Sequence, residues 1–191
     1  MTTEFNVLDK TIAHMRLSQV LKHVPDNSDV PDFGCGNQAF LLRSITKRIS
    51  YGKGIDFGIK KDHPFENIFL EPMTANYAGL IKDYHKYDVV IMLAVIEHVP
   101  LKDVVRLLKL LKSKLKKNGK IVMTTPTTRG QFVLELLAFK LHIISEKQIL
   151  DHKKYYNKED FVTLTKSIGM KLESYSTFQI GMNSIIVLSN K

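Results

Sequence analysis

Apolar positions along the chain switch repeatedly between two periods, and the switching predicts strands and helices in turn. Residues 6–24 carry Val7, Ile12, Met15, Leu17, Val20 and Leu21 in a pattern compatible with an amphipathic helix. The runs 29–33, 52–57, 67–71, 87–93 and 119–125 read as strands. Between and after them the spacing predicts helices over 38–49, 75–84, 101–117, 130–144 and 158–168. The first is carried by Ala39, Phe40, Leu41 and Leu42 leading into Ile45 and Ile49. Residues 171–178 and 183–189 close the chain as two strands joined antiparallel around Gly181. Such alternation specifies the α/β class: a seven-stranded, mostly parallel sheet with helices on both faces, right-handed crossovers and an antiparallel C-terminal strand. Ligands of these sheets sit beyond the carboxyl ends of the strands, where strand order reverses. Asp32, Asp56 and the segment 93–98 would converge there.

The stretch from Val30 to Phe40 places a carboxylate, Asp32, and two close glycines, Gly34 and Gly36, where the first strand turns into a helix. Glycine lets the backbone turn sharply and lets a ligand approach the main chain, while the helix start offers unpaired N–H groups. Two cofactor classes use such a turn. Gly34-x-Gly36-x-x-Ala39, with Asp56 twenty residues after Gly36, fits a dinucleotide pattern. A pyrophosphate is doubly anionic, however, and Asp32 would set a negative charge close to it. S-adenosylmethionine carries a sulfonium and an ammonium beside one carboxylate, so an acid at this turn suits it electrostatically.

Here the chain resembles the class I S-adenosylmethionine-dependent methyltransferases, whose first signature reads acidic-x-Gly-x-Gly-x-Gly. Asp32-Phe-Gly34-Cys-Gly36-Asn-Gln38 matches all but the last glycine. Lys53-Gly54-Ile55-Asp56-Phe57 is similar to the family's second strand, ending in the carboxylate that hydrogen-bonds both ribose hydroxyls. Residues 87–99, ending Ile96-Glu97-His98-Val99, resemble the fourth strand and the Glu-His that often follows it. Residues 116–126 resemble the helix end, turn and fifth strand. The resemblance implies a Rossmann-like fold and S-adenosylmethionine as cofactor. Asp32, Gly34, Cys35, Gly36, Asp56, Phe57, Met73 and Leu93 are the expected cofactor-lining residues. Within that set Phe57 and Met73 would flank the adenine, and the Cys35 thiol reads as a small buried filler rather than a nucleophile. Glu71 either approaches the adenine side or is a solvated loop acid. Two departures stand out: Gln38 replaces the third glycine, and Pro31 sits inside a central strand, where it cannot donate a ladder hydrogen bond and predicts a short, bulged or distorted strand.

The chemistry expected of such a site is positional. A sulfonium-bound methyl is already electrophilic, so the acceptor's lone pair has to be held in line with water excluded, and no triad or metal is required. If the acceptor is a hydroxyl, His98 or His152 would serve as the base; the alternative for His98 is a capping or packing role, and for His152 an ordinary surface loop.

Length and composition bound this picture. With 191 residues and 44% hydrophobic content, the chain encloses one core, so a single domain over 1–191 is expected. Residues 1–26 form its N-terminal helical segment and 127–156 a lid or substrate insert. One cysteine makes no internal disulfide, the N-terminus lacks signal-peptide character, and no apolar run approaches bilayer length. The expectation is a reduced, cytoplasmic protein. Residues 131–144 are apolar nearly all round, which would serve core burial, a partner subunit in a homodimer, a hydrophobic acceptor or a peripheral membrane contact. This insert and the C-terminal segments are loosely similar to bacterial methyltransferases associated with cell-envelope saccharides.

The net charge of +9 raises the question of nucleic acid. Lys109, Lys112, Lys114, Lys116, Lys117 and Lys120 cluster on one helix and its exit turn, without interleaved aromatics and with one arginine, Arg106. Stacking and base readout are not indicated, and the cluster reads as a solvated surface. The leading function is therefore methyl transfer to a small-molecule or lipid- or saccharide-type acceptor, with an RNA methyltransferase and a non-catalytic cofactor- or partner-binding protein as alternatives.

Overall fold

The computed structural model describes residues 7–61, 63–74, 83–135 and 153–190. Helix α1 (Val7–Val20) runs into a single 3-10 turn at Leu21–His23, then come β1 (Ser28–Phe33), α2 (Phe40–Ile45), β2 (Ile49–Asp56), β3 (His63–Phe65), β4 (Ile68–Pro72) and β5 (Tyr87–Leu93). A second 3-10 turn at Ile96–His98 leads to α3 (Leu101–Ser113), β6 (Leu115–Pro126), α4 (Thr128–Glu135), α5 (Lys158–Ile168), β7 (Lys171–Phe178) and β8 (Asn183–Ser189). The strands form one sheet in the order β3-β4-β2-β1-β5-β6-β8-β7. The five strands from β4 to β6 are mutually parallel, while β3, β8 and β7 run antiparallel to their neighbours.

Strand alternation builds two cores from one sheet, because successive side chains point to opposite faces. Val90, Met92, Ile121, Met123, Ile186 and Leu188 meet α3 and α5 on one face through Leu107, Leu108, Leu111, Phe161 and Ile168. Val30, Ile91, Val122, Ile185 and Val187 meet α1 and α2 on the other through Val20, Leu41, Leu42 and Ile45. Helix α5 has explicit ends. The Asn157 side chain accepts from the Asp160 N–H at 2.9 Å, Asp160 accepts from the Asn157 N–H at 2.9 Å, and Gly169 closes the helix at φ 66°. Asn157→Ala removes the cap, a loss of about 1 kcal/mol. A thermal melt is expected to show a midpoint lower by about 2–4 °C.

The sheet has eight strands rather than the predicted seven: β3 is a short antiparallel edge strand pairing His63–Phe65 with Ile68–Leu70, too brief to leave a periodic signal. Helix α2 is shorter than 38–49, because Ala39 sits at φ 46° ahead of it and Ile49 already belongs to β2. Helix α3 stops at Ser113 because Leu115 pairs with Tyr87 at the start of β6. Pro31 stays within β1, which pairs with β2 from Ser28 to Phe33 with a register shift between Ser28 and Asp29, while on the other side the ladder to β5 has the single registered pair Asp32–Ile91. Of the predicted helix 75–84, residues 75–82 lie outside the described residues, and 83–86 are not helical; residues 136–144 of the helix 130–144 also lie outside.

The lysine-rich segment is not simply a solvated surface. Lys116 bridges Asp29 and Asp88 at 2.8 Å each, Lys112 donates to the Ile168 and Gly169 carbonyls at the end of α5, Lys120 pairs with Glu173 at 2.6 Å, and Lys114 donates to the Asp83 carbonyl. These cations serve as internal fasteners. Among the described residues no helix is long and apolar enough to cross a membrane.

Candidate cofactor and acceptor site

The site is assembled where β1 and β2 end side by side. Asp32 lies one residue before the end of β1, in register with Gly54 of β2 and Ile91 of β5, and is 3% exposed. The chain then turns through Gly34 at φ 83° and Gly36 at φ 70°, values open to glycine. Gly34 N–H donates to the Ile55 carbonyl at 2.8 Å, which pins the turn to β2. Asp56, at the end of β2, reaches back across it: its Oδ2 accepts from Gly36 N–H at 2.9 Å and its Oδ1 from Gly58 N–H at 2.6 Å. The carboxylate recognised by spacing is therefore the clamp of the glycine turn itself.

The two glycines serve different purposes. A Cβ on Gly34 would meet Val95 Cγ2 at 2.3 Å, whereas one on Gly36 would meet nothing within 4 Å. Gly34 makes room for protein, and Gly36 faces open space. Gly54 has a third role, since its missing side chain admits the Cys35 sulfur, 2.9 Å from where a Cβ would stand. Burial and the neighbouring acids push the Cys35 thiol well above its ordinary range, and it donates to the Gly36 carbonyl at 3.3 Å. It packs inside the turn as an inert filler.

Asp32 is the electrostatic centre of the site. Burial, reinforced by the charge of Asp56, pushes its carboxyl up to about 7, and its Oδ1 is buried with no hydrogen-bond partner. A buried, unpaired acid beside a second acid repels a pyrophosphate and suits a cationic ligand. The orphaned oxygen of Asp32 and the unfilled space over Gly36 together fit S-adenosylmethionine, which brings positive charge and needs close approach to the main chain.

The other expected residues lie around this centre. Phe57 follows Asp56 and is 69% exposed, Met73 is buried with its N–H donating to the Asp56 carbonyl at 2.9 Å, and half-buried Leu93 ends β5. His98 is half-buried in the turn after β5; His152 lies outside the described residues. Glu71 is not simply a solvated loop acid. It pairs at 2.8 Å with Lys53, which also binds Asp83 at 3.0 Å; burial lowers the Lys53 affinity for its proton, but these two acids outweigh it and hold the ammonium above its ordinary value.

Glu97 stood in the sequence as the acid of the Glu-His signature, with no role of its own assigned to it. It is 1% exposed, and its Oε2 accepts from Thr125 Oγ1 at 3.1 Å, tying the turn after β5 to the end of β6. Its own carbonyl accepts from Lys153 N–H at 2.6 Å, so the returning chain is fastened there too. Burial pushes its carboxyl above the ordinary range, against the pull of its own backbone N–H, His98, Arg16 and Thr125. Tyr156 is also buried, its hydroxyl unpartnered and pushed up to about 12 by burial, Asp160 and Glu97. The Glu-His signature marked the position of Glu97 in the sequence, but it carries no information about burial. Among the described residues no group of three or more His, Cys, Asp or Glu is arranged to hold a metal ion.

The methyltransferase-domain family matches this sequence over residues 6–175, nearly its whole length and all the strands that build the site. The chain belongs to that family. This methyltransferase uses S-adenosylmethionine as its cofactor. Solved structures share its fold at low identity. A magnesium protoporphyrin IX methyltransferase from Synechocystis, with bound S-adenosylhomocysteine, aligns with a TM-score of 0.64 and 14% identity, covering 100% of this chain and 90% of that one. An S-adenosylmethionine-dependent methyltransferase from Archaeoglobus fulgidus aligns with a TM-score of 0.67 and 16% identity, covering 94% of each chain. A putative methyltransferase from Haloferax volcanii, in complex with the Trm112 activator, aligns with a TM-score of 0.64 and 13% identity, covering 96% of this chain and 97% of that one. No curated protein matches the sequence significantly.

Proposed function

We propose that this methyltransferase acts in the cytoplasm on a hydroxyl of a small-molecule or lipid- or saccharide-type acceptor, with Asp32, Gly34, Cys35, Gly36, Asp56, Phe57, Met73 and Leu93 lining the cofactor side. The observation that carries the cofactor half is the buried, unpaired Oδ1 of Asp32 beside Asp56. S-adenosylmethionine supplies a methyl group already activated on a sulfonium. The protein's work is then to bind and orient. Asp56 hydrogen-bonds the ribose while keeping the glycine turn closed, Gly36 leaves the main chain open to the ligand, and Asp32 offsets its positive charge. On the acceptor side, His98 or His152 takes up the hydroxyl proton, with His98 held in the turn that Glu97 fastens. The lysines engaged in internal bonds favour this reading over an RNA substrate, since they are not free to neutralise phosphates.

Calorimetry with S-adenosylmethionine and with NADH tests the cofactor half, and tritium transfer from labelled S-adenosylmethionine into fractionated cell extract tests the acceptor half. Binding of NADH alone, or label confined to RNA, would overturn the reading. Asp56→Ala is expected to weaken S-adenosylmethionine by about 1.5–3 kcal/mol, the worth of charge-assisted hydrogen bonds. Calorimetry on the folded variant checks it.

A further inference from the structure

We infer that Ile180, at the tip of the β7–β8 turn, contacts an apolar part of the methyl acceptor, so that the acceptor is amphiphilic, with hydrocarbon or ring surface beside its reactive hydroxyl. The inference rests on the methyl-transfer reading above and adds to it a chemical class and a residue. Ile180 is 99% exposed and stands at φ 56°, between Gln179 at 52° and Gly181 at 81°. A β-branched residue in the left-handed region is a genuine outlier, and such strain persists only where surrounding structure imposes it.

Here the surroundings impose it. Thr127 N–H donates to the Met182 carbonyl at 3.0 Å and Thr127 Oγ1 to the Gly181 carbonyl at 2.7 Å. Within the turn, Gly181 N–H donates to Phe178 and Met182 N–H to Gln179, both at 3.1 Å. Gly130 of α4 packs so closely that a Cβ there would stand 2.1 Å from the Met182 carbonyl oxygen. A turn held this firmly could have carried glycine or asparagine at no strain. It carries isoleucine and points it at solvent.

Position gives that choice its meaning. Asn183 pairs with Pro126 at the carboxyl end of β6, so the turn stands at the same end of the sheet as Asp32, Asp56 and Glu97. Gln179 Nε2 reaches Met15 Sδ of α1 at 3.3 Å, and Met15 is itself 40% exposed. Residues 177–184 carry no charged side chain in a protein that is 25% charged. Exposed Phe57, after β2, and exposed Leu101, opening α3, lie at this end as well. Among the described residues these are four exposed side chains at this end of the sheet, whereas a specific protein interface takes in roughly 20–30 residues a side. A small apolar ligand fits them better than a second copy of the chain.

The test compares Ile180→Asn, which tolerates the left-handed backbone, with Ile180→Leu, which keeps an apolar side chain. Each variant is assayed for tritium transfer from S-adenosylmethionine into source-cell extract, with the labelled product run on a reverse-phase column. Ile180→Asn is expected to melt about 2–4 °C higher through relief of strain. It should bind S-adenosylmethionine as wild type does and lose about tenfold in rate at limiting extract, as befits one lost apolar contact, while keeping the rate at saturating extract. Ile180→Leu should retain the wild-type rate, and the label should sit on a column-retained product. Several results would overturn the inference: equal rates for wild type and Ile180→Asn, loss of rate together with a lower melting temperature, label on an unretained product, or Ile180-dependent sedimentation with lipid vesicles. A wild type that binds S-adenosylmethionine and labels nothing would instead bring down the methyl-transfer reading, and this inference with it.

Discussion

Asp32→Asn is expected to stabilise the cofactor-free protein at pH 8 and at the same time to cripple its binding of S-adenosylmethionine. The Asp32 carboxyl ionises near 3.8 in an unfolded chain and near 7 in the fold, where burial and the Asp56 charge oppose ionisation. Between those values the folded state holds a proton that the unfolded state has released, so stability falls as pH rises from about 4 to about 7 and stays low above it. The difference corresponds to a penalty of about 4 kcal/mol. Asparagine carries no charge and escapes that penalty. Thermal melts of the two proteins should therefore lie closest at about pH 4 and diverge steadily above it, by several degrees at pH 8, with the variant higher. A cationic ligand beside Asp32 acts in the opposite sense by favouring the ionised carboxyl. Wild-type affinity for S-adenosylmethionine should accordingly rise as pH passes through 7, and the variant should lose both the affinity and this pH dependence in calorimetry. A variant less stable than wild type at pH 8 would mean that Asp32 is ionised and paired in the free protein.

The second large effect separates two glycines that look alike in the sequence. Gly34→Ala drives a methyl group to 2.3 Å from Val95 Cγ2 and places alanine at φ 83°. Overpacking costs about 1–3 kcal/mol and the left-handed backbone about 1–2 kcal/mol more. The protein should unfold at markedly lower denaturant whether or not cofactor is present. Gly36→Ala meets no atom within 4 Å and bears only the backbone cost at φ 70°. It should fold, melt a few degrees lower and bind S-adenosylmethionine poorly, because the added methyl fills the space left open to the ligand. Denaturation curves and calorimetry on the pair check the assignment; equal binding by Gly36→Ala and wild type would show that the ligand does not approach there.

Local pattern was enough to read the C-terminal third closely. Residues 158–168, 171–178 and 183–189 form the predicted elements at the predicted bounds, because capping residues and a glycine turn mark their ends. The glycine turn and the acid twenty residues beyond it were legible for the same reason: they are short-range consequences of backbone geometry. Pattern failed where neighbours distant in sequence decide the outcome. The strand β3 exists only because Ile68–Leu70 offers it an edge, and α3 ends where Tyr87 captures Leu115. Glu97 and Glu71 look like ordinary acids in the sequence. One is buried under Thr125 and the other is held by Lys53, partners that lie 28 and 18 residues away.

By itself, then, the order of residues settled the α/β alternation, the sharp turn after the first strand and the presence of acids at both strand ends, since propensity and periodicity act within a few residues. Only the folded chain decided that Asp32 is buried with an unpaired oxygen, that Asp56, expected as a ribose-binding acid, also clamps the glycine turn, and that a strained isoleucine stands exposed at the same end of the sheet. Burial, charge and strain are set by what surrounds a group in space, and that is known only once the strands lie side by side.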